Sequence, residues 1–100
     1  MPTKIEYMKA LNQVWRELKL EKDNIAEGYD SPWPMSVLSD VVQPEIKEML
    51  HNVGKGEIVF KYGENLRKLQ STMLMEGAPD LLQTDLGKSI IVLQGILDRF

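Results

Sequence analysis

The chain has no cysteine and a single histidine, and these two scarcities exclude more chemistry than any motif supplies. Without thiols there is no disulfide, no thiolate zinc site and no cysteine nucleophile. The same absence fits a cytoplasmic setting. His51 stands three residues after Glu48, the Glu-x-x-His spacing that puts two metal ligands on one helix face in carboxylate-bridged di-iron bundles. Such a site needs a second pair, and no second histidine exists. No metal and no cofactor are therefore expected. None of Ser36, Ser39, Ser71 and Ser89 lies in the Gly-x-Ser-x-Gly turn that presents a nucleophile. Gly54-Lys-Gly-Glu lacks the residue order that wraps backbone amides around a phosphate. The chain reads as non-enzymatic.

Long apolar runs are missing too. Between Lys88 and Asp98 only nine uncharged residues occur, where a bilayer needs about 20. The opening Met-Pro-Thr-Lys-Ile-Glu-Tyr has no apolar signal-peptide core, so a soluble protein with no membrane partner is expected. An excess of positive charge is also lacking: 12 Lys and Arg face 15 Asp and Glu, for a net charge of −3 and a pI near 5.1. Affinity for nucleic acid comes from cations replacing counterions, which argues against such a partner. Arg67, Lys68 and Gln70 give a recognition helix only as a third reading. The charge is uneven. Residues 1–22 hold five basic and three acidic groups, and residues 23–57 hold two and seven.

What is present is an ordinary globular composition, 43% apolar and 27% charged over 100 residues, enough for one domain with one core. Helical periodicity is clearest at the end. From Asp80 onward Leu82, Leu86, Ile90, Leu93, Ile96, Leu97 and Phe100 fall in one arc of roughly 120° at 100° per residue. This makes the last helix the expected centre of the fold. A first helix follows from Thr3 as cap with Glu6 three residues on, and from Ile5, Met8, Leu11, Trp15 and Leu18 as the inward face. Turn chemistry at Asp23-Asn24 predicts that it fades near Leu20 to Lys22, with Gly28 closing the segment.

Gly28 to Met35 is irregular, with Pro32 and Pro34 flanking Trp33. Helix resumes with Ser36 as cap, and Leu38, Val42, Ile46, Met49 and Val53 keep helical spacing straight through Pro44. Either one helix kinks at Pro44, or one ends near Val42 and another begins with proline in its first turn; the second is the expectation, with Gly54 as stop. Val59, Tyr62, Leu66, Leu69 and Met73 place a further helix over about 57–76, although Ile58 to Tyr62 has strand propensity. The predicted fold is all-α. It is a small antiparallel bundle of four to five helices with an irregular Pro/Trp loop after the first.

Function is read from surplus apolar surface. Ile91 and Val92 lie off the inward stripe of the last helix, with Ile91 near the shallow Gly87 and Gly95, and Met73 and Met75 add further apolar groups. Tyr29 and Trp33 are residue types that anchor interfaces, unless Trp33 folds back as a lid on the bundle. The partner-binding candidates are thus Tyr29, Trp33, Gly87, Ile91, Val92 and Gly95. The expected function is a helical interaction protein, an adaptor, inhibitor, immunity-type or regulatory factor, that grips another protein or a second copy of itself. The alternative is a small-ligand binder or minor enzyme with an inter-helix pocket lined by Trp15, Trp33, Tyr62 and His51.

Overall fold

The structure is a computed structural model and describes residues 3–55, 81 and 83–99. Among the described residues the chain is mostly helical and has no strand, in agreement with the all-α expectation. Three rods are seen. The predicted helix over 57–76, the ambiguous Ile58 to Tyr62, and the Met73 and Met75 surface lie outside the described residues.

The first rod, α1 (Lys4–Ala26), starts where the sequence predicts, with Thr3 Oγ1 accepting a hydrogen bond from Glu6 N at 3.1 Å. It does not fade at Lys22. Gly28, at φ 91°, takes the left-handed conformation that lets Gly28 N reach Ile25 O and Tyr29 N reach Asn24 O. These paired bonds satisfy the last carbonyls, so the helix runs to the glycine. Ile25, packed against the core, adds tertiary support that the turn propensity of Asp23-Asn24 does not overcome.

The inward face of α1 is also rotated from the predicted one. Tyr7, Ala10, Leu11, Val14 and Leu18 are buried, whereas Ile5 and Met8 are 65% and 39% exposed and Trp15 is half-buried. Periodicity alone gives two overlapping apolar stripes on this helix that share Leu11 and Leu18. Tyr7, Ala10 and Val14 decide between them, because two of the three are small enough to let neighbouring rods approach closely.

The second rod comprises α2 (Met35–Val37), a π-helical segment (Leu38–Val42) and α3 (Gln43–Gly54) in unbroken succession. Pro34, not Ser36, caps it: the Pro34 carbonyl accepts from Val37 N and Leu38 N. Pro44 neither ends the helix nor begins a separate one, since Val37, Val42 and Gln43 all keep right-handed helical angles. Instead the turn before it widens, and Gln43 N bonds to Leu38 O five residues back. In a regular α-helix the proline ring would strike the carbonyl of Asp40; the wider turn relieves that contact. Leu38, Val42, Ile46, Met49 and Val53 are all buried, as their spacing through Pro44 requires.

In the third rod Leu81 and Gln83 are already helical, Thr84 is a bend, and α4 (Asp85–Arg99) follows; the expected opening at Asp80 lies outside the described residues. Thr84 breaks from the helix and caps it, its Oγ1 accepting from Gly87 N at 3.0 Å. Leu86, Ile90, Leu93 and Ile96 form the buried stripe. Each fully buried side chain of this size contributes about 1.5–3 kcal/mol relative to exposure. Leu82, Leu97 and Phe100, the rest of the predicted arc, are outside the described side chains.

Among the described residues the fold centres on α1, and not on the last helix. Both α3 and α4 pack mainly on α1, and all three contribute to one core. The second rod folds back on α1, with Lys22 Nζ near the end of one donating to Gln43 Oε1 in the other. A broad apolar stripe at the end of the sequence suggested centrality; α1 achieves it with a narrower stripe of smaller residues that admits a neighbour on each side.

Candidate functional site

The Pro/Trp loop is fixed from both ends. Ser31 Oγ donates to the Glu21 carboxylate and accepts from Trp33 N at 3.1 Å, which ties the loop to α1. Trp33 is 2% exposed, and its Nε1–H donates to Thr84 Oγ1 at 2.9 Å. The indole is a lid on the core and not a surface anchor. Thr84 Oγ1 also donates to Leu81 O at 2.6 Å while accepting from Gly87 N. A hydroxyl has one donor and two acceptor sites, and all three are used here. One oxygen thus joins the lid, the segment before α4 and the first turn of α4. Tyr29, by contrast, points to solvent at 66% exposure.

The candidates on α4 separate by face. Gly87 is buried. On the outer side Ile91 is 36% and Val92 57% exposed, one on each flank of Gly95. A side-chain carbon built on Gly95 meets nothing within 4 Å, so no contact inside the described structure requires glycine there. Glycine in a helix interior costs about 1 kcal/mol relative to alanine. Its bare backbone leaves the carbonyl accessible, and Arg99 Nε donates to it at 3.1 Å. Lys88, exposed one turn earlier, borders the two aliphatic side chains. The result is a shallow apolar saddle with cations at either end.

A second concavity was not anticipated in this form. A cleft of about 320 Å³ lies between the C-terminal half of α1 and the start of α3, lined by Trp15, Leu18, Lys19, Lys22, Asp23 and Gln43. Of the residues proposed for an inter-helix pocket only Trp15 is there; Trp33 is sealed in the core and His51 is exposed on α3. Tyr62 is outside the described residues. Lys19 Nζ sits 5.3 Å from the centroid of the Trp15 ring, a cation over an aromatic face. The sequence signal for this arrangement was the Trp15/Lys19 pair one helical turn apart with Lys22 on the same flank.

Groups that could carry other chemistry are dispersed. Glu48 and His51 both face solvent, and no group of three or more His, Asp or Glu able to hold a metal occurs among the described residues. Burial raises the Tyr7 phenol from its ordinary value of 10.0 to about 12, and the ring stands in the core and not in a cleft. No helix among the described residues is long and apolar enough to cross a membrane. Comparison with protein-family models, with curated proteins and with solved structures finds no match for this chain.

Proposed function

We propose that this chain is a non-enzymatic helical interaction protein that works by burying the outer face of α4 against another protein or a second copy of itself. The observation that supports this reading most is the saddle formed by Ile91, Gly95 and Val92. Two aliphatic side chains are presented to water on either side of a mid-helix glycine that nothing in the described structure needs. Apolar side chains flanking a bare stretch of backbone suit the approach of another helix, because dispersion contacts reach the main chain itself. The same reading takes the whole chain as a four- to five-helix antiparallel bundle, completed by a helix over 57–76, acting in the cytoplasm. Tyr29 is a secondary contact on this view, and Trp33 and Gly87 act only by supporting the fold.

Sedimentation over a wide concentration range, paired with capture from a lysate of cells expressing the tagged chain, tests the proposal. The wild type is expected to associate with itself or retain a partner, and Ile91→Asp to abolish that association. Since Ile91 is 36% exposed, the substitution should cost about 1–2 kcal/mol and leave the chain folded, which circular dichroism checks. A wild type that stays monomeric at every concentration and retains nothing, or an Ile91→Asp variant that associates as well as the parent, refutes it.

A further inference from the structure

We infer that the cleft between α1 and α3 is a binding site for a small organic anion with a flat apolar body, such as an aromatic carboxylate. The inference is independent of the α4 saddle. Two features of the cleft carry it. Its accessible apolar surface comes from Trp15, half-buried so that part of the indole is available, with the buried Leu18 forming the floor behind it. Beside that surface stand two ammonium groups, Lys19 and Lys22, against a single carboxylate, Asp23.

This local surplus of positive charge occurs in a chain whose net charge is −3, and both lysines belong to residues 1–22, where five bases face three acids. Charge that opposes the whole-molecule field is concentrated at a concavity, where field lines are focused. Lys22 is positioned by its bond to Gln43 Oε1, and an ammonium has three protons, so two remain to meet a ligand. Lys19 rests over the indole in the free protein. A planar ligand that takes its place on the ring moves the ammonium to the rim, where it faces the anionic end of the incoming molecule.

Size selects the class. About 320 Å³ lies at the small end of the range of ligand pockets, which suits a molecule of one or two rings and not a folded domain or a nucleic-acid duplex. Gln43 supplies an amide for orientation, and Asp23 disfavours ligands carrying more than one or two negative charges. An extended acidic peptide offers charge without a ring, and leaves the Trp15 indole uncovered.

The test uses the full chain, labelled with ¹⁵N and titrated with naphthalene-2-carboxylate. The protein has two tryptophans, hence two indole N–H signals, and the two report different things. The Trp15 signal should move. The Trp33 signal, held by Thr84, should stay and thereby show that the core is intact. A ligand of this size is expected to bind with a Kd of about 1 mM. The neutral naphthalene-2-carboxamide should bind more weakly, and each of Lys19→Gln and Lys22→Gln should reduce affinity for the carboxylate about two- to fivefold. Trp15→Leu should abolish the interaction, while Lys9→Gln, exposed on the N-terminal half of α1 and outside the cleft lining, should leave it unchanged. The inference is overturned if the Trp15 signal does not move by about 10 mM. It is equally overturned if the amide binds as well as the carboxylate, if the lysine variants bind normally with the Trp33 signal in place, or if poly-glutamate moves the signal and the carboxylate does not.

Discussion

Replacing Thr84 by valine removes one oxygen and adds one methyl at nearly constant shape, and the structure assigns a large loss to that small change. Three bonds disappear. Trp33 Nε1–H is left inside the core without an acceptor, a penalty of about 1–3 kcal/mol. Gly87 N loses its cap, which costs about 0.5–2 kcal/mol. Leu81 O loses one donor but keeps the bond from Thr84 N at 3.3 Å, and adds little. The losses share one atom and are not additive, so about 2–4 kcal/mol in all is expected. For a chain of 100 residues each 1 kcal/mol moves Tm by roughly 4–8 °C, which makes the effect large in a thermal melt followed by circular dichroism. Thr84→Ser keeps the oxygen and should lose less than about 1 kcal/mol. The pairing itself is measured with a double-mutant cycle: in a Trp33→Phe background no indole N–H remains to be stranded, so Thr84→Val should cost at least about 1 kcal/mol less than in the wild type. Equal losses in the two backgrounds, or a Thr84→Val variant within about 0.5 kcal/mol of the parent, would refute the role given to this hydroxyl.

Two further outcomes follow from other parts of the molecule. Pro44→Ala should change stability in urea unfolding by less than about 1 kcal/mol, because the π-helical turn already relieves the proline; a gain near the roughly 3 kcal/mol expected for proline in a straight helix would show that it does not. Tyr7 sets a pH dependence: its phenol is raised to about 12 in the folded chain against 10.0 when exposed, so the folded state holds the proton more tightly. Its contribution is complete below pH 10.0 and is lost as pH rises toward about 12, with a slope of at most about 1.4 kcal/mol per pH unit. Tyr7→Phe should flatten the stability profile over that interval, and an unchanged profile would contradict the assignment.

Several local signals in the sequence match the structure, although Ser36 as a cap and the fading of α1 near Lys22 do not. Thr3 caps α1, Gly28 closes it, and the spacing of Leu38, Val42, Ile46, Met49 and Val53 survives Pro44. Each of these depends on residues within a turn or two of one another. Most of what was not legible depends on distant partners. The rotation of α1 that buries Tyr7, Ala10 and Val14 and exposes Ile5 and Met8 is chosen by the two rods that lean on it, not by α1 itself. The widening of the helix before Pro44 lies outside a choice between kink and break. The start of α4 at Thr84 is set with a tryptophan 51 residues earlier in the chain, which no window of periodicity contains.

The candidate sites follow the same division. Exposure of Ile91 and Val92 was readable because both fall off the stripe that buries Leu86, Ile90 and Leu93. The cleft beside Trp15 was not, because it exists only where Gln43 of the second rod meets Lys22 of the first. Tyr29 and Trp33, four residues apart in one loop, looked alike as aromatic anchors and end in opposite environments. The distinction comes from the Thr84 acceptor, which only the fold brings near.

The place of α1 at the middle of the fold makes tolerance to substitution uneven along the chain. Tyr7, Leu11, Val14 and Leu18 belong to the buried stripe of the helix on which both described neighbours pack, so changes along it act on the core that all three share. Among the described residues, α3 and α4 each pack mainly on α1 alone. The outer surface of α4 and the rim of the cleft lie clear of that stripe, which leaves both free to vary while the architecture beneath them stays the same.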